Sequence, residues 1–414
     1  MPRVLLLSST TSYRAGAFLD AARAIGAEVV VGSDQPQVLA ALHPAGNLTL
    51  DFSDPDRAAE AIVAFARGRP LDAVLATDDE GVVLAATAAA ALGLATSPVA
   101  AVSAARHKVA ARERLAMAGL PSPAFEVFPV EADPDEVARR ASFPCVVKPV
   151  ALAASRGVIR ADDPEQLARA FRRVAALLAL EGGSQRTSRK ILVESYIPGD
   201  EVAVEGLVRG GDQRLLAVFD KPDPLEGPYF EETLYVTPSR HPAVVQAAVT
   251  AATQRMVEAL GLLEGPVHAE LRINPQGVWP LEIAPRSIGG LCSRALRFGD
   301  GVTLEELILR HALGLDVAGL KREACASGVM MIPIPGAGVL RAVTGQEEAE
   351  RVPGIEEVRI TIPIGQPVVP LPEGARYLGF LFARADQPET VEQALREAHR
   401  RLGFEIDQIQ GGRA

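Results

Sequence analysis

Two glutamates and an arginine give the clearest chemical signal in this chain. The stretch Gly265-Pro266-Val267-His268-Ala269-Glu270-Leu271-Arg272 is followed by Asn274-Pro275-Gln276-Gly277, then by Val278-Trp279-Pro280-Leu281-Glu282-Ile283-Ala284-Pro285-Arg286. Asn-Pro-Gln-Gly is a turn signal, and the runs on either side alternate enough to be strands. A hairpin folded there lays Glu270 and Glu282 side by side on one sheet face, with Arg286 just beyond them. Adjacent carboxylates repel unless a cation sits between them. Hard oxygen ligands of this kind suit Mg²⁺, which normally also takes oxygens from nucleotide phosphates. An arginine beside such a metal stabilises phosphoryl charge. A solvated hairpin edge with a surface salt bridge gives the same spacing, so the rest of the chain has to decide.

Lysine usage sharpens the question. Of 42 basic residues only five are lysine: Lys108, Lys148, Lys190, Lys221 and Lys321. A chain that uses arginine wherever either would serve keeps a lysine for a reason. A compact ammonium reaches a phosphate oxygen in a pocket too narrow for a planar guanidinium. Cys145-Val146-Val147-Lys148-Pro149 reads as a buried strand ending in lysine, followed by the small-residue loop Val150-Ala151-Leu152-Ala153-Ala154-Ser155-Arg156-Gly157-Val158. Backbone N–H groups and an ammonium facing one anion form a phosphate cradle. Further on, Ile191 to Glu201 reads as a strand, a short linker and a glycine turn. The linker can offer backbone groups to an adenine edge, and Glu201 can accept from ribose hydroxyls. Each piece alone is also an ordinary strand end.

The elements that must position these residues follow from periodicity. Strands at residues 3–8, 27–32 and 72–77 alternate with helices at 14–26 and 55–67, which predicts a doubly wound parallel α/β unit. No G-x-G-x-x-G follows its first strand, so a dinucleotide site of that kind is not indicated. Helical signals run from Pro98 to Ala118, and His107 reads as a surface helix residue. Short strands and one long helix, Pro164 to Leu180, fill 124–193, and the polar stretch Glu181 to Lys190 reads as a loop. Strands resume at 191–220. Asp220 to Arg240 has no periodicity and reads as a second loop. Helices follow at Pro242 to Leu260 and Leu304 to Leu313. Short strands punctuated by Pro and Gly then lead to a last helix, Pro388 to Leu402. The expected division is 1–97, an N-terminal doubly wound domain; 98–190, a small lobe with linker helices; 191–315, a central lobe with the metal site; and 316–414, a small α+β domain.

Composition narrows the function classes. The chain has 414 residues, 48% of them hydrophobic and 23% charged, enough for a large core. A net charge of −10 with no Lys/Arg run makes nucleic acid a poor partner. Three scattered cysteines give neither a disulfide framework nor a zinc spacing, which suits a reduced cytoplasmic setting. Nothing reads as a signal peptide or a membrane span.

The order Lys108, Lys148 with its loop, Glu194 to Glu201, then Glu270, Glu282 and Arg286 resembles the ATP-grasp superfamily over residues 1–315. More narrowly, it is similar to the L-amino acid ligase (carboxylate–amine ligase) branch. The motifs are Ser155-Arg156-Gly157-Val158-Ile159, Asp220-Lys221-Pro222, Gly227-Pro228-Tyr229-Phe230-Glu231-Glu232, Gly265 to Glu270, Arg286-Ser287-Ile288-Gly289-Gly290-Leu291 and Tyr377 to Arg384. The resemblance implies two α+β lobes clamping ATP, with Mg²⁺ as the metal. Lys108 and Lys148, with the loop residues Ser155, Arg156 and Gly157, would bind phosphates. Glu194, Ser195, Tyr196 and Ile197 would hold adenine, and Glu201 the ribose. Glu270 and Glu282 would be the metal ligands, and Arg286 would hold an acyl-phosphate. It also implies a homodimer.

The implied reaction joins a small-molecule carboxylate, an amino acid in this branch, to an amine, with no nucleic acid or membrane partner. Glu232 would hold the amine's ammonium and His268 would be a candidate base. The loops 181–190 and 221–240 would close the site against water. Two departures stand out. Ala284 occupies a position where the family commonly has an Asn that ligates Mg²⁺, and the phosphate loop is rich in alanine where glycine is usual. The alternatives are a ligase acting on a non-amino-acid carboxylate, or a nucleotide-binding protein that has lost catalysis.

Overall fold

The computed structural model describes residues 1–10, 12–36, 46–180 and 189–408. The N-terminal unit is a four-stranded parallel sheet in the order Asn47–Thr49, Glu28–Ser33, Arg3–Leu7, Ala73–Ala76. Arg3–Leu7 is buried along its whole length, as expected of a central parallel strand covered by helices on both faces. The strand ends present Ser8-Ser9 and Thr77-Asp78-Asp79 along one edge. The alanine-rich residues after these strand ends form the helix Val82–Ala91, with most of its residues buried.

The helical stretch expected from Pro98 to Ala118 is two helices, Val99–Arg106 and Lys108–Met117. His107 separates them in an extended conformation, and its Nδ1 accepts from the Ala110 N–H at 3.3 Å. It is therefore a helix cap rather than a surface helix residue. The break places Lys108 in the first turn of the second helix.

The small lobe is a four-stranded antiparallel sheet in the order Phe125–Pro129, Lys190–Ser195, Cys145–Pro149, Ile159–Ala161. The helix Pro164–Leu180 buries Leu167, Phe171, Val174 and Leu178 against it, one apolar stripe at helical spacing. The central sheet has eight strands: Gly277–Ala284, Glu264–Asn274, Asp200–Arg209, Asp212–Asp220, Leu234–Thr237, Ala326–Ile332, Gly379–Ala385 and Ile355–Ile360.

One expectation is corrected here. Asp220 to Arg240 is not all loop, because Leu234–Thr237 is a fully buried strand. At four residues it is too short to show a period. It sits between Asp212–Asp220 and Ala326–Ile332 and so carries the sheet across the 315/316 division expected from sequence. The remaining C-terminal strands Pro367–Val368, Gly338–Thr344 and Gly403–Asp407 form a sheet of three. Among the described residues no helix is long and apolar enough to cross a membrane.

Candidate active site

The hairpin forms at the expected turn, with Asn274 paired to Gly277. Asn274 Oδ1 accepts from the Gln276 N–H at 3.0 Å and from Trp279 Nε1 at 3.1 Å. A regular two-residue hairpin from that turn would set Glu270 opposite Leu281 and turn Glu282 to the other face. The register instead shifts between Glu270 and Leu271, so Glu270 pairs with Glu282 and Leu271 with Pro280. Leu281 is the extra residue. A bulge is favoured beside Pro280, which has no N–H to give the ladder. This irregularity is what brings the two carboxylates side by side.

Alternation loads the rest of that face. His268, Glu270 and Arg272 project together from one strand and stand opposite Glu205, Ala203 and Glu201 of its neighbour. Lys221, at the end of the next strand, reaches into the group. Its Nζ lies 2.8 Å from Glu201 Oε1 and 3.0 Å from Glu270 Oε1, and it also bonds Glu232. Arg272 Nε donates to Glu201 Oε2 at 3.0 Å. His268 Nδ1 lies 2.5 Å from Glu205 Oε1, and Nε2 lies 3.6 Å from Glu270 Oε1. Glu201, Glu232 and Glu270 bring oxygens within 4.8 Å of one another.

The electrostatics of this group follow from burial and crowding. Burial raises Glu232, Lys221 opposes this, and Glu270 reinforces it, leaving Glu232 at about 7. For Glu270 burial also pushes upward, but Lys221 and His268 win and hold it well below the carboxylate range. Burial works against the His268 imidazolium, yet Glu205 and Glu270 outweigh it and push it up to about 9. His268 thus stands between Glu205 and Glu270, which favour its charged form.

A second group lies at the small lobe. Glu194 is buried, and Arg112 contacts it at 3.1 and 3.3 Å while Lys148 bonds its Oε1. Burial would raise this carboxyl, but the two cations hold it down to about 2. Burial in turn lowers Lys148 despite Glu194. The Glu194 side chain thus belongs to an ion cluster. In the linker beyond it, the Ser195 and Tyr196 N–H groups pair with the Ala124 and Pro144 carbonyls. The Ile197 carbonyl accepts from Arg272 at 2.7 Å. Glu201, expected at a ribose, has both oxygens engaged by Lys221 and Arg272.

Between the two groups stands Lys108. Its Nζ donates to the Leu152 carbonyl in the phosphate loop at 2.7 Å and lies 3.8 Å from Glu282 Oε2. Arg286 NH2 lies 2.7 Å from Asp79 Oδ2. Burial would raise Asp79, but Arg286 prevails and brings it to about 2, and Arg286 is itself raised. In the loop, Ala154 (φ 57°) and Ser155 (φ 55°) are both left-handed, conformations that cost a non-glycine residue. Gly157 (φ 68°) donates to the Pro372 carbonyl at 2.9 Å, and Arg156 Nε to the Glu373 carbonyl at 3.0 Å.

Of the two expected lids, 181–188 lies outside the described residues. The other touches the small lobe, where Arg160 bonds the Pro228 carbonyl at 2.9 Å and the Glu226 carbonyl at 2.8 Å. Space beside Gly290 is taken by Phe380, whose ring atoms would lie 3.1–3.2 Å from an added Cβ.

Lys221, Glu205, Arg272, Arg112 and Asp79 had no role assigned from sequence, although Lys221 stood out as a retained lysine. The signal for the strand residues was present, in His-x-Glu-x-Arg and Glu-x-x-x-Glu at one-face spacing. Whether Mg²⁺ fits is answered by the donor set. Glu270 and Glu282 are paired in register, and the Glu282 side chain is 42% exposed, so oxygens are accessible to a hard cation. Ala284, opposite His268, adds no oxygen.

Three family models match: the ATP-grasp N-terminal domain over residues 19–96, the ATP-grasp domain over 141–295, and the L-amino acid ligase C-terminal domain 2 over 330–407. The crystal structure of an L-amino acid ligase from Bacillus licheniformis superposes with a TM-score of 0.83 at 25% identity, covering 99% of both chains. Dapdiamide A synthase of Enterobacter agglomerans is 26% identical, over 79% of this chain and 78% of that protein. A formate-dependent phosphoribosylglycinamide formyltransferase of Cupriavidus pinatubonensis is 29% identical, over 62% of this chain and 60% of its own length. The chain spans about three fifths of the length of the first curated relatives it matches. With its fold, its paired carboxylates and all three domain models in agreement, the chain belongs to the ATP-grasp superfamily, in the L-amino acid ligase branch.

Proposed function

We propose that this protein is an ATP-dependent ligase that joins a small carboxylate, an amino acid in the first instance, to an amine through an acyl-phosphate. The observation that carries this reading is the register pairing of Glu270 with Glu282, with Lys108 at one side and Arg286 beyond. A free carboxylate is a poor acyl donor because its leaving group would be oxide. Its oxygen attacks the γ-phosphorus of ATP, the bond to the β-phosphate oxygen breaks, and ADP leaves. The amine then attacks the acyl carbon and inorganic phosphate departs.

Each group has a task in this reading. Lys108, Lys148 and Arg286 spread the negative charge of phosphoryl transfer. Mg²⁺, held by Glu270 and Glu282, would neutralise phosphate charge when bound. Glu232, with its pKa near 7, holds the ammonium of the incoming amine and takes up a proton as the amine becomes neutral. The segment 226–229, bonded to the small lobe, excludes water from a reactive intermediate.

Ala284 favours a second reading, a nucleotide-binding protein without turnover, since one customary metal ligand is missing. A screen of amino acid pairs and other small carboxylates for ATP-dependent phosphate release tests both. The ligase reading expects release only when a carboxylate and an amine are both present. Tight ATP binding with no release from any pair would support the second reading.

A further inference from the structure

Arg286 is held by the N-terminal unit rather than by the sheet that carries Glu270 and Glu282. Its NH2 lies 2.7 Å from Asp79 Oδ2, and its NH1 donates to the Ser287 carbonyl at 3.0 Å. Ser287 is gripped in turn. Arg14 NH2 donates to Ser287 Oγ at 2.6 Å, and Arg14 NH1 to the Thr77 carbonyl at 3.0 Å and the Ser287 carbonyl at 3.4 Å. Arg14 is 3% exposed, and Glu305, which accepts from Ser293 Oγ at 2.5 Å, balances its charge at 3.4 Å. Asp79 opens the short 3₁₀ turn Asp79–Gly81, fixed by Asp78 accepting from the Glu80 N–H at 3.2 Å. Consecutive residues 286 and 287 are thus clamped from one edge of the parallel sheet, by side chains more than two hundred positions away in sequence.

Arginine has a long, flexible stem, and a guanidinium has to be in place before charge develops. We infer that Asp79 is a positioning residue: its carboxylate, on a turn fixed by the parallel sheet, aims the Arg286 guanidinium at the transferred phosphoryl group, with Arg14 securing the backbone beneath. This rests on the ligase reading above. The N-terminal unit then contributes directly to catalytic geometry. If Asp79 merely balanced a buried charge, its loss would lower stability and leave turnover of the folded protein unchanged.

A double-mutant cycle on the full chain separates these roles. Phosphate release gives kcat, calorimetry gives ATP affinity, and thermal melts report folding for Asp79→Asn, Arg286→Ala and the double variant. Positioning predicts that Arg286→Ala lowers kcat by ~10²-fold or more and Asp79→Asn by ~10-fold or more. ATP affinity stays within about threefold in both, and the double variant is no slower than Arg286→Ala. A folded Asp79→Asn protein with parental kcat would overturn the inference. So would a double variant slower than Arg286→Ala by the full Asp79 factor. If Asp79→Asn alone fails to fold, Asp79→Glu, which keeps the charge and moves the carboxylate by one methylene, decides the question: positioning predicts a folded protein with lowered kcat, and parental kcat there would overturn the inference. Parental turnover in Arg286→Ala would remove the role given to Arg286 and the inference with it. Absence of phosphate release by the parent protein with every carboxylate–amine pair would sink the ligase reading itself. A collapse in Arg286→Ala with an additive cycle sinks only the role given to Asp79.

Discussion

The two ion clusters are built on opposite balances of charge. At the small lobe, Arg112 and Lys148 share the single carboxylate Glu194. On the central sheet, Lys221, Arg272 and a protonated His268 face four carboxylates, Glu201, Glu205, Glu232 and Glu270. The first group has cation to spare and suits an anion such as a nucleotide phosphate. The second has anion to spare and suits a divalent metal or an ammonium. Lys108 spans them, with one contact to the phosphate loop and one toward Glu282. The difference teaches that one chain can prepare two clusters for opposite ligand charges, each with its own internal ion pairs.

The largest expected effect is on the anionic side. Glu270→Gln and Glu282→Gln should each lower turnover by ~10²-fold or more, as removal of a group that organises phosphoryl-transfer charge does, and should weaken the response to added Mg²⁺. Near-parental turnover would contradict the metal assignment. The cationic side should fail differently. Lys148→Ala should weaken ATP binding in calorimetry by roughly tenfold or more, the worth of a charged hydrogen bond, whereas Glu270→Gln should spare nucleotide affinity in comparison. Equal effects of both on affinity and turnover would erase the distinction between the clusters.

A smaller effect is expected at Glu232. Glu232→Gln should raise the KM of the amine by about tenfold, in keeping with loss of one charged contact, and leave the KM of the carboxylate nearly unchanged. An equal rise for both substrates would remove its assignment to the ammonium.

The smallest effects concern stability, and their signs differ between the clusters. Glu194 is depressed from 4.5 to about 2, so its contribution is complete above pH 4.5 and is lost as pH falls toward 2. His268 is raised from 6.5 to about 9, so its contribution is complete below pH 6.5 and is lost as pH rises through 9. Thermal melts without nucleotide or metal should show Glu194→Gln flattening the acid limb and His268→Gln the alkaline limb. Flattening of the same limb by both would contradict the charge states assigned here.

How far the sequence revealed this can be judged residue by residue. Glu270, Glu282 and the turn between them were legible because hairpin chemistry is local. The bulge at Leu281 was not, although Pro280 is the residue that favours it. The long helix Pro164–Leu180 was legible from its periodicity, while Leu234–Thr237 is held by its neighbours on both sides rather than by its own pattern. Asp79 and Arg112 were illegible as site residues for a different reason. Their partners, Arg286 and Glu194, lie 207 and 82 positions away, and no local spacing connects them.

An acyl-phosphate is the central intermediate of the proposed reaction. The most direct test supplies a carboxylate substrate labelled with ¹⁸O in both oxygens, together with ATP, Mg²⁺ and an amine, and measures the mass of the released phosphate. Attack of the carboxylate on the γ-phosphorus, followed by amide formation, predicts one ¹⁸O in each phosphate and one retained in the amide. Unlabelled phosphate formed alongside the amide would contradict it.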